Sequence, residues 1–468
     1  MELEPIERLN LLLIMTDQHR ADWLGHTGKQ PVNTPNIDRI ADRGVRFTNA
    51  SCCSPLCAPS RSSLAAGVYP HRLGILGNKH NFPTETVTYY QLLRKAGYRV
   101  AVIGKTDLHK GDHHYGAEGN LPIMYHLGFT DPHETEGKGN AGRPRRGKES
   151  SGAFETTGPY QNYLQKHGLL DTFVEDMKKR EKESPVWYAA PSSLPAEYFH
   201  DSYIGRKACS YLEDVTEEAP WHLFVSFTGP HDPWDAPAAY ASHYADAEFP
   251  SAISAAGGEK PDWIRRKAAK QSAGMSEDDL NKVKRHYAGA IELIDGWIGR
   301  MLDVLEQRQL LERTVIVFCS DHGEMLGDHG LFQKSVMYEA ALRVPLIISV
   351  PGGNGQPYKG TSEVLAELID LHPTLLDLAG VDYLRSRLDA RSLLPHIRGD
   401  AVEHKPYQIS LLNHCRMIAD GEYKFIDNIN DENELYHLQD DPDEQINLNR
   451  LQPQIAKRFL EQLKKLCI

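Results

Sequence analysis

The chain lacks the roughly 20 consecutive apolar residues that crossing a bilayer requires; the run nearest its start, residues 11–15, is far too short. Its opening segment, MELEPIERLN, is acidic and has none of the basic-then-apolar pattern of a secretory signal. These absences argue against a membrane partner and lead to the expectation of a cytoplasmic protein with reduced thiols. Cysteine is scarce, and an odd count of seven does not make a complete disulfide framework. No second close Cys or His pair accompanies Cys53 and Cys57, so a four-ligand structural zinc site has little support. Basic residues are outnumbered, 52 Lys and Arg against 64 Asp and Glu, and the net charge of −12 argues against nucleic acid as a partner. There is no internal repeat, hence no solenoid or propeller.

What is present is an ordinary soluble composition, 40% hydrophobic and 25% charged, over 468 residues. That length buries a large core and predicts two domains, residues 1–380 and 381–468. Short unbroken apolar runs at 10–16, 98–104, 221–227, 314–320 and 344–351 read as strands buried on both faces, the habit of a parallel sheet. Helical punctuation or an apolar stripe marks 34–44, 88–97, 276–305, 370–380 and 453–466, with Thr34 and Ser276 as predicted caps. After residue 381 the character changes to a hairpin over 417–426 with an Asp-Gly turn, then a strand at 434–438. The predicted fold is therefore α/β: a large mixed, mostly parallel sheet sandwiched by helices, followed by a smaller α+β part with an antiparallel sheet.

In such sheets ligands bind beyond the carboxyl ends of the strands. The first strand ends in Asp17-Gln18, the second in Lys105-Thr106-Asp107-Leu108-His109, the third leads to His231, and the fourth ends in Asp321-His322. Taken singly, Asp17 reads as a turn residue. Taken as a pair, the endings at 17 and 321 read as ligands for a hard divalent cation: calcium, or manganese given the imidazole. Between the first two strands, residues 52–71 (CCSPLCAPSRSSLAAGVYPH) hold three cysteines and a helix start. A helix opening at Cys57 would aim its free N–H groups at that side chain, and Arg61 would add a planar fork for an oxyanion. The plain alternative makes Cys57 a buried small hydrophobe. Asn78 reads either as a turn residue or as a donor to a substrate oxygen. Residues 137–152 (GKGNAGRPRRGKESSG) are predicted as a flexible solvated loop, or as a lid that recruits an anionic substrate.

Cys57-Ala58-Pro59-Ser60-Arg61, with Leu64-x-x-Gly67 and Tyr69-Pro70-His71 after it, resembles the signature of the formylglycine-dependent sulfatases of the alkaline phosphatase superfamily. The run 320–330, Ser-Asp-His-Gly-Glu-x-x-Gly-Asp-His-Gly, and Ser226-Phe227-x-x-Pro230-His231-x-Pro233 resemble two further segments of that family. The resemblance implies an alkaline phosphatase-like fold and a Cys57 converted to formylglycine by a separate maturing enzyme. It also implies one divalent metal on Asp17, Gln18, Asp321 and His322, with residue 57 as a further ligand. Arg61, Lys105 and Lys334 would neutralise the sulfate, and His231 would meet the leaving oxygen. The family's Gly-Lys-x-His is departed from: Asp107 stands where the histidine belongs, which leaves His109 as the candidate base and Asp107 as a substrate contact. The implied activity is hydrolysis of a sulfate monoester, such as that of a sugar. Gln18 paired with His322 is a feature of choline-sulfatase-like and phosphonate monoester hydrolase-like branches. A phosphonate monoester or phosphodiester hydrolase, and a non-catalytic binding protein keeping a thiol at Cys57, therefore stay open. So does a homo-oligomer.

Overall fold

Strand β1, Asn10–Asp17, buries all eight of its residues because apolar side chains occupy both of its faces. In the computed structural model, which describes residues 8–110, 113–146, 154–183, 185–255, 259–352 and 357–466, this strand lies inside an eight-stranded sheet. Its other strands are β2 Val45–Phe47, β3 Arg99–Gly104, β4 Asp131–Glu134, β5 Trp221–Pro230, β6 Thr314–Ser320, β7 Leu346–Ser349 and β8 Gly360–Ser362. The spatial order is β8-β2-β7-β6-β1-β5-β3-β4. All neighbours run parallel except β7, which is antiparallel to both β6 and β2. The large mixed, mostly parallel sheet is as the sequence predicts.

Helices that flank the two sheets include α1 Pro35–Asp42, α2 Cys57–Ala66, α3 Tyr89–Lys95, α4 His200–Asp214, α5 Asp262–Gln271, α6 Glu277–Gln307, α7 Leu371–Leu378 and α8 Pro453–Lys465. The period-two alternation of the strands divides their apolar side chains between two cores. Leu11, Leu13, Val315 and Val317 join Leu64 of α2, Tyr89 of α3 and Leu375 of α7 on one face. Leu12, Ile14, Ile316 and Phe318 join Ile37 of α1, Ile204 of α4 and Ile298 of α6 on the other. Each such aliphatic side chain contributes about 1.5–3 kcal/mol by leaving water, so the central strands are anchored from both sides. Ser276 caps α6 as predicted, its hydroxyl accepting from the Asp279 N–H. Thr34 does not cap α1: its hydroxyl donates to Asp38 and accepts from the Gly25 N–H instead. Among the described residues no helix is long and apolar enough to cross a membrane.

Four antiparallel strands, β9 Gln408–Leu411, β10 Cys415–Ala419, β11 Tyr423–Asn428 and β12 Glu434–His437, form a second sheet in that order. Helix α8 packs on it through Ala456, Phe459 and Leu463. The same cluster takes in Cys53, Tyr69 and Ile369, and the Leu411 N–H donates to the Cys53 carbonyl at 3.0 Å. The small sheet thus braces the segment leading into α2. Leu393 and Ile397, beyond the predicted boundary at 381, still belong to the core of the large sheet.

Candidate active site

The register of the sheet builds the site. Thr16 pairs with Ser320, so the residues that follow, Asp17 and Asp321, emerge level with one another from β1 and β6. On the other side of β1, Gly104 pairs with Ser226 and Lys105 follows. Gly104 has φ 112°, and a Cβ there would stand 2.0 Å from the Ser226 carbonyl oxygen. Only glycine permits that approach, and it fixes where Lys105 starts. All these tips meet at the carboxyl edge of the sheet, where Cys57, the first residue of α2, is inserted.

Four side chains offer ligand atoms within 4.8 Å of one another: Asp17, Cys57, Asp321 and His322, all buried. Cys57 Sγ is 3.2 Å from His322 Nε2 and 3.8 Å from Asp17 Oδ1. His322 Nδ1 lies 3.0 Å from the Gly323 carbonyl, which can only accept. A ring proton therefore sits on Nδ1, and Nε2 faces the two carboxylates at 3.9 and 3.7 Å. An imidazole held by a backbone carbonyl with its other nitrogen turned to carboxylates is how proteins present a metal ligand. Oxygen and imidazole donors together suit a hard or borderline divalent cation. The fifth predicted ligand, Gln18, joins the cluster only through its backbone N–H, which donates to Asp321 Oδ1 at 3.1 Å. Its side-chain amide is held away by Lys334, Glu324 and Asp232.

Arg61 differs from expectation. Instead of offering a fork to an oxyanion, it donates to Asp321 at 2.8 Å, the Lys105 carbonyl and Ser226 at 2.7 Å each, and Asp17 at 3.3 Å. It holds the two carboxylates in place. The helix N-terminus also differs. Pro59 has no N–H, and the Ala58 N–H donates to Asn78 Oδ1 at 3.0 Å. Asn78 is thus a cap, and its amide hydrogens remain for the cavity it lines.

That cavity measures about 150 Å³, and Asp17, Cys57, Asn78, Lys105, Asp107 and His231 line it. Lys105 is ion-paired with Asp17 and, at 3.2 Å, with Asp107; Lys334 reaches Gln18 and His231. Burial and Asp17 push the Cys57 thiol up, yet Lys105, Lys334 and His322 together hold it well below the ordinary thiol range. Burial likewise pushes Asp17 up, and Lys105, His231, Arg61 and Lys334 outweigh it. Burial pushes His322 down, and Asp321 and Cys57 raise it above its usual value. A site that favours anionic oxygen and sulfur so strongly is built for charge neutralisation.

His109 does not line the cavity. Asp107 has φ 56°, in the left-handed region, and directs its carboxylate to Lys105 and Lys110. Lys110 and Lys138, neither of them singled out in the sequence, do line it. Lys138 overturns the solvated-loop expectation for the first part of 137–152. It begins a helical turn, Lys138–Ala141, and is buried with its ammonium on Asp235 at 2.7 Å and the His231 carbonyl at 3.0 Å. Residues 147–152 lie outside the described residues. Glu324, quoted in the sequence only as a motif letter, accepts from the Leu326 N–H at 2.8 Å and from the Gln333 N–H, and burial raises its carboxyl to about 7. It gathers the loop that carries Lys334. Leu326, His329, Gln333 and Ser335 in that loop all have positive φ, a concentration of strain typical of a functional segment.

Residues 9–381 match the family model "Sulfatase", and residues 327–467 match "N-sulphoglucosamine sulphohydrolase, C-terminal". The chain belongs to the sulfatase family, of the alkaline phosphatase superfamily, and its enzyme class is that of the sulfuric ester hydrolases. A choline-sulfatase from Rhizobium meliloti is 29% identical over 459 residues, covering 94% of this chain and 82% of the relative. The phosphonate monoester hydrolase of Agrobacterium radiobacter superposes with a TM-score of 0.78 at 22% identity, over 98% of this chain and 95% of its own. A protein solved in complex with its substrate D-glucosamine-2-N,6-O-disulfate superposes with a TM-score of 0.73 at 21% identity, over 98% of both chains.

Proposed function

We propose that the protein hydrolyses a sulfate monoester of a sugar at the Cys57 cavity, water and ester giving the free alcohol and sulfate. One observation carries this reading: Cys57 Sγ lies 3.2 Å from His322 Nε2 inside a buried donor cluster flanked by Lys105 and Lys334. A divalent cation, calcium first and manganese second, fits the donors of Asp17, Asp321 and His322 with Gln18 beside them, and when bound it supplies positive charge for the ester oxygens. Cys57 serves after conversion to formylglycine by a maturing enzyme, which gives the site an oxygen nucleophile.

The chain's own residues do the rest. Lys105 and Lys334 hold ammonium charge beside Cys57, where the ester's negative charge gathers. His231 lines the cavity with its Nε2 accepting from the Lys334 ammonium, and this pair meets the leaving oxygen as proton donor. Asp107, held below the usual carboxylate range by Lys105 and Lys110 against the pull of burial, is a poor base and orients the two ammonium groups. His109 is off the cavity lining, so a proton reaching it from residue 57 passes through water. We assign the catalytic part to residues 1–380 and the small antiparallel part to 381–468, with Leu393 and Ile397 of the latter packed into the core of the large sheet. We place the protein in a reducing, cytoplasmic setting.

The same cavity admits a phosphonate monoester, the reading favoured by the Gln18 and His322 pairing. Protein produced with a maturing enzyme, assayed in parallel on 4-nitrophenyl sulfate and an aryl phosphonate monoester, separates the two. We expect the higher kcat/KM on the sulfate; a much higher value on the phosphonate overturns the sulfatase reading.

A further inference from the structure

The Cys57 cavity, at about 150 Å³, holds little more than the group that is cleaved. The rest of the substrate has to lie outside it. His231 lines both this cavity and a broader groove of about 680 Å³, so the groove opens at the side chain assigned to the leaving oxygen. Its walls are basic although the chain as a whole is acidic. Arg143 on the rim is already paired with Glu181, and Arg180 with Asp176. Lys267 and Lys270, both on α5, are different. The Lys267 ammonium donates to the Lys334 carbonyl at 2.9 Å, which ties this wall to the catalytic loop. Lys270 is exposed and forms no ion pair among the described residues. Tyr188 adds an aromatic ring to the lining, a surface suited to the C–H face of a sugar.

We propose that this groove is the leaving-group subsite and that it takes a saccharide bearing a second anionic group, a carboxylate or a further sulfate, paired with Lys267 and Lys270. The proposal rests on the sulfatase reading and adds the charge class of the alcohol to it. The exposed ammonium of Lys270, with Lys267 next to it on the groove wall, repels a cationic alcohol such as choline and attracts an anionic one. The choline ester named for one relative is therefore a poor substrate here.

The test compares kcat/KM for N-acetylglucosamine 6-sulfate, N-sulfoglucosamine 6-sulfate and choline sulfate in the mature enzyme and in Lys270→Glu, with Lys270→Gln and Lys267→Met as further variants. The disulfated sugar is expected to exceed the monosulfated one. That ratio should fall on the order of tenfold in Lys270→Glu, by less in Lys270→Gln, and shrink as salt is raised. Choline sulfate should gain relative to both sugars in Lys270→Glu. A ratio near one in the parent enzyme, or one unmoved by Lys270→Glu, overturns the proposal while 4-nitrophenyl sulfate turnover leaves the sulfatase reading standing. An enzyme inert toward every sulfate ester overturns both.

Discussion

Arg61 reaches four protein acceptors, two of them carboxylates of the candidate metal cluster. A guanidinium so placed acts through Asp17 and Asp321, which makes it a positioning residue. Lysine has a point charge and no fork, and cannot span both carboxylates. Arg61→Lys should therefore lower calcium affinity by about 10–100-fold, the usual effect of disturbing groups that orient metal ligands. Titration calorimetry on the unconverted thiol form reads this without any turnover. Arg61→Ala, which takes the guanidinium from buried Asp321 and leaves Asp17 with Lys105 alone, should cost about 3–5 kcal/mol in urea unfolding. Unchanged calcium affinity in Arg61→Lys would show that the pairing has no such role. The motif suggests that His109 replaces a family histidine two places earlier, yet a left-handed φ at Asp107 turns that carboxylate into the cavity and leaves His109 off its wall. Neither φ nor direction is written in the letters.

Among the elements, β5 and α7 carry histidines with no room for charge. His222 of β5 is buried between the Leu11 carbonyl and the Tyr89 hydroxyl, and burial lowers its pKa to about 3. His372 of α7 is bonded to the Ala65 carbonyl of α2 at 3.0 Å, and burial lowers it to about 4. Both are neutral in the folded chain at pH values where the unfolded chain, with a histidine pKa near 6.5, takes up protons. Their contribution is thus complete above pH 6.5 and is lost as pH falls toward the folded values. Each should remove about 1.4 kcal/mol of stability per pH unit between 6.5 and about 4. Urea unfolding from pH 7 to 4.5 should show the decline, and His372→Gln should flatten it by one such increment; an unchanged slope in that variant would contradict the assignment. The elements themselves were legible because their signals are local. β1 and β6 are short apolar runs with a polar residue at the end, α6 has a stripe and a Ser276 cap, and all appear where predicted. Lys138 was not legible, because its burial depends on Asp235, nearly a hundred residues away. A glycine-rich basic stretch looks solvated until a distant partner covers it.

In the whole molecule, one sheet edge gathers the chemistry and a second sheet steadies it. The levels of Asp17 and Asp321 follow from the β1–β6 register; α7 meets α2 through His372 on Ala65, and the small sheet holds the segments flanking α2 through Leu411 on Cys53 and the cluster around Tyr69. That arrangement places a thiol among cations, at the end of a cleft whose basic wall contrasts with an acidic chain. The proposed sulfatase activity requires residue 57 to become an oxygen nucleophile. The most direct measurement is the mass of the peptide containing Cys57, taken from protein produced with and without a maturing enzyme, together with 4-nitrophenyl sulfate turnover of each sample. The account predicts an aldehyde mass at that residue in the first sample alone, with turnover rising in proportion to it. A thiol in both samples, or turnover that ignores the conversion, would contradict it.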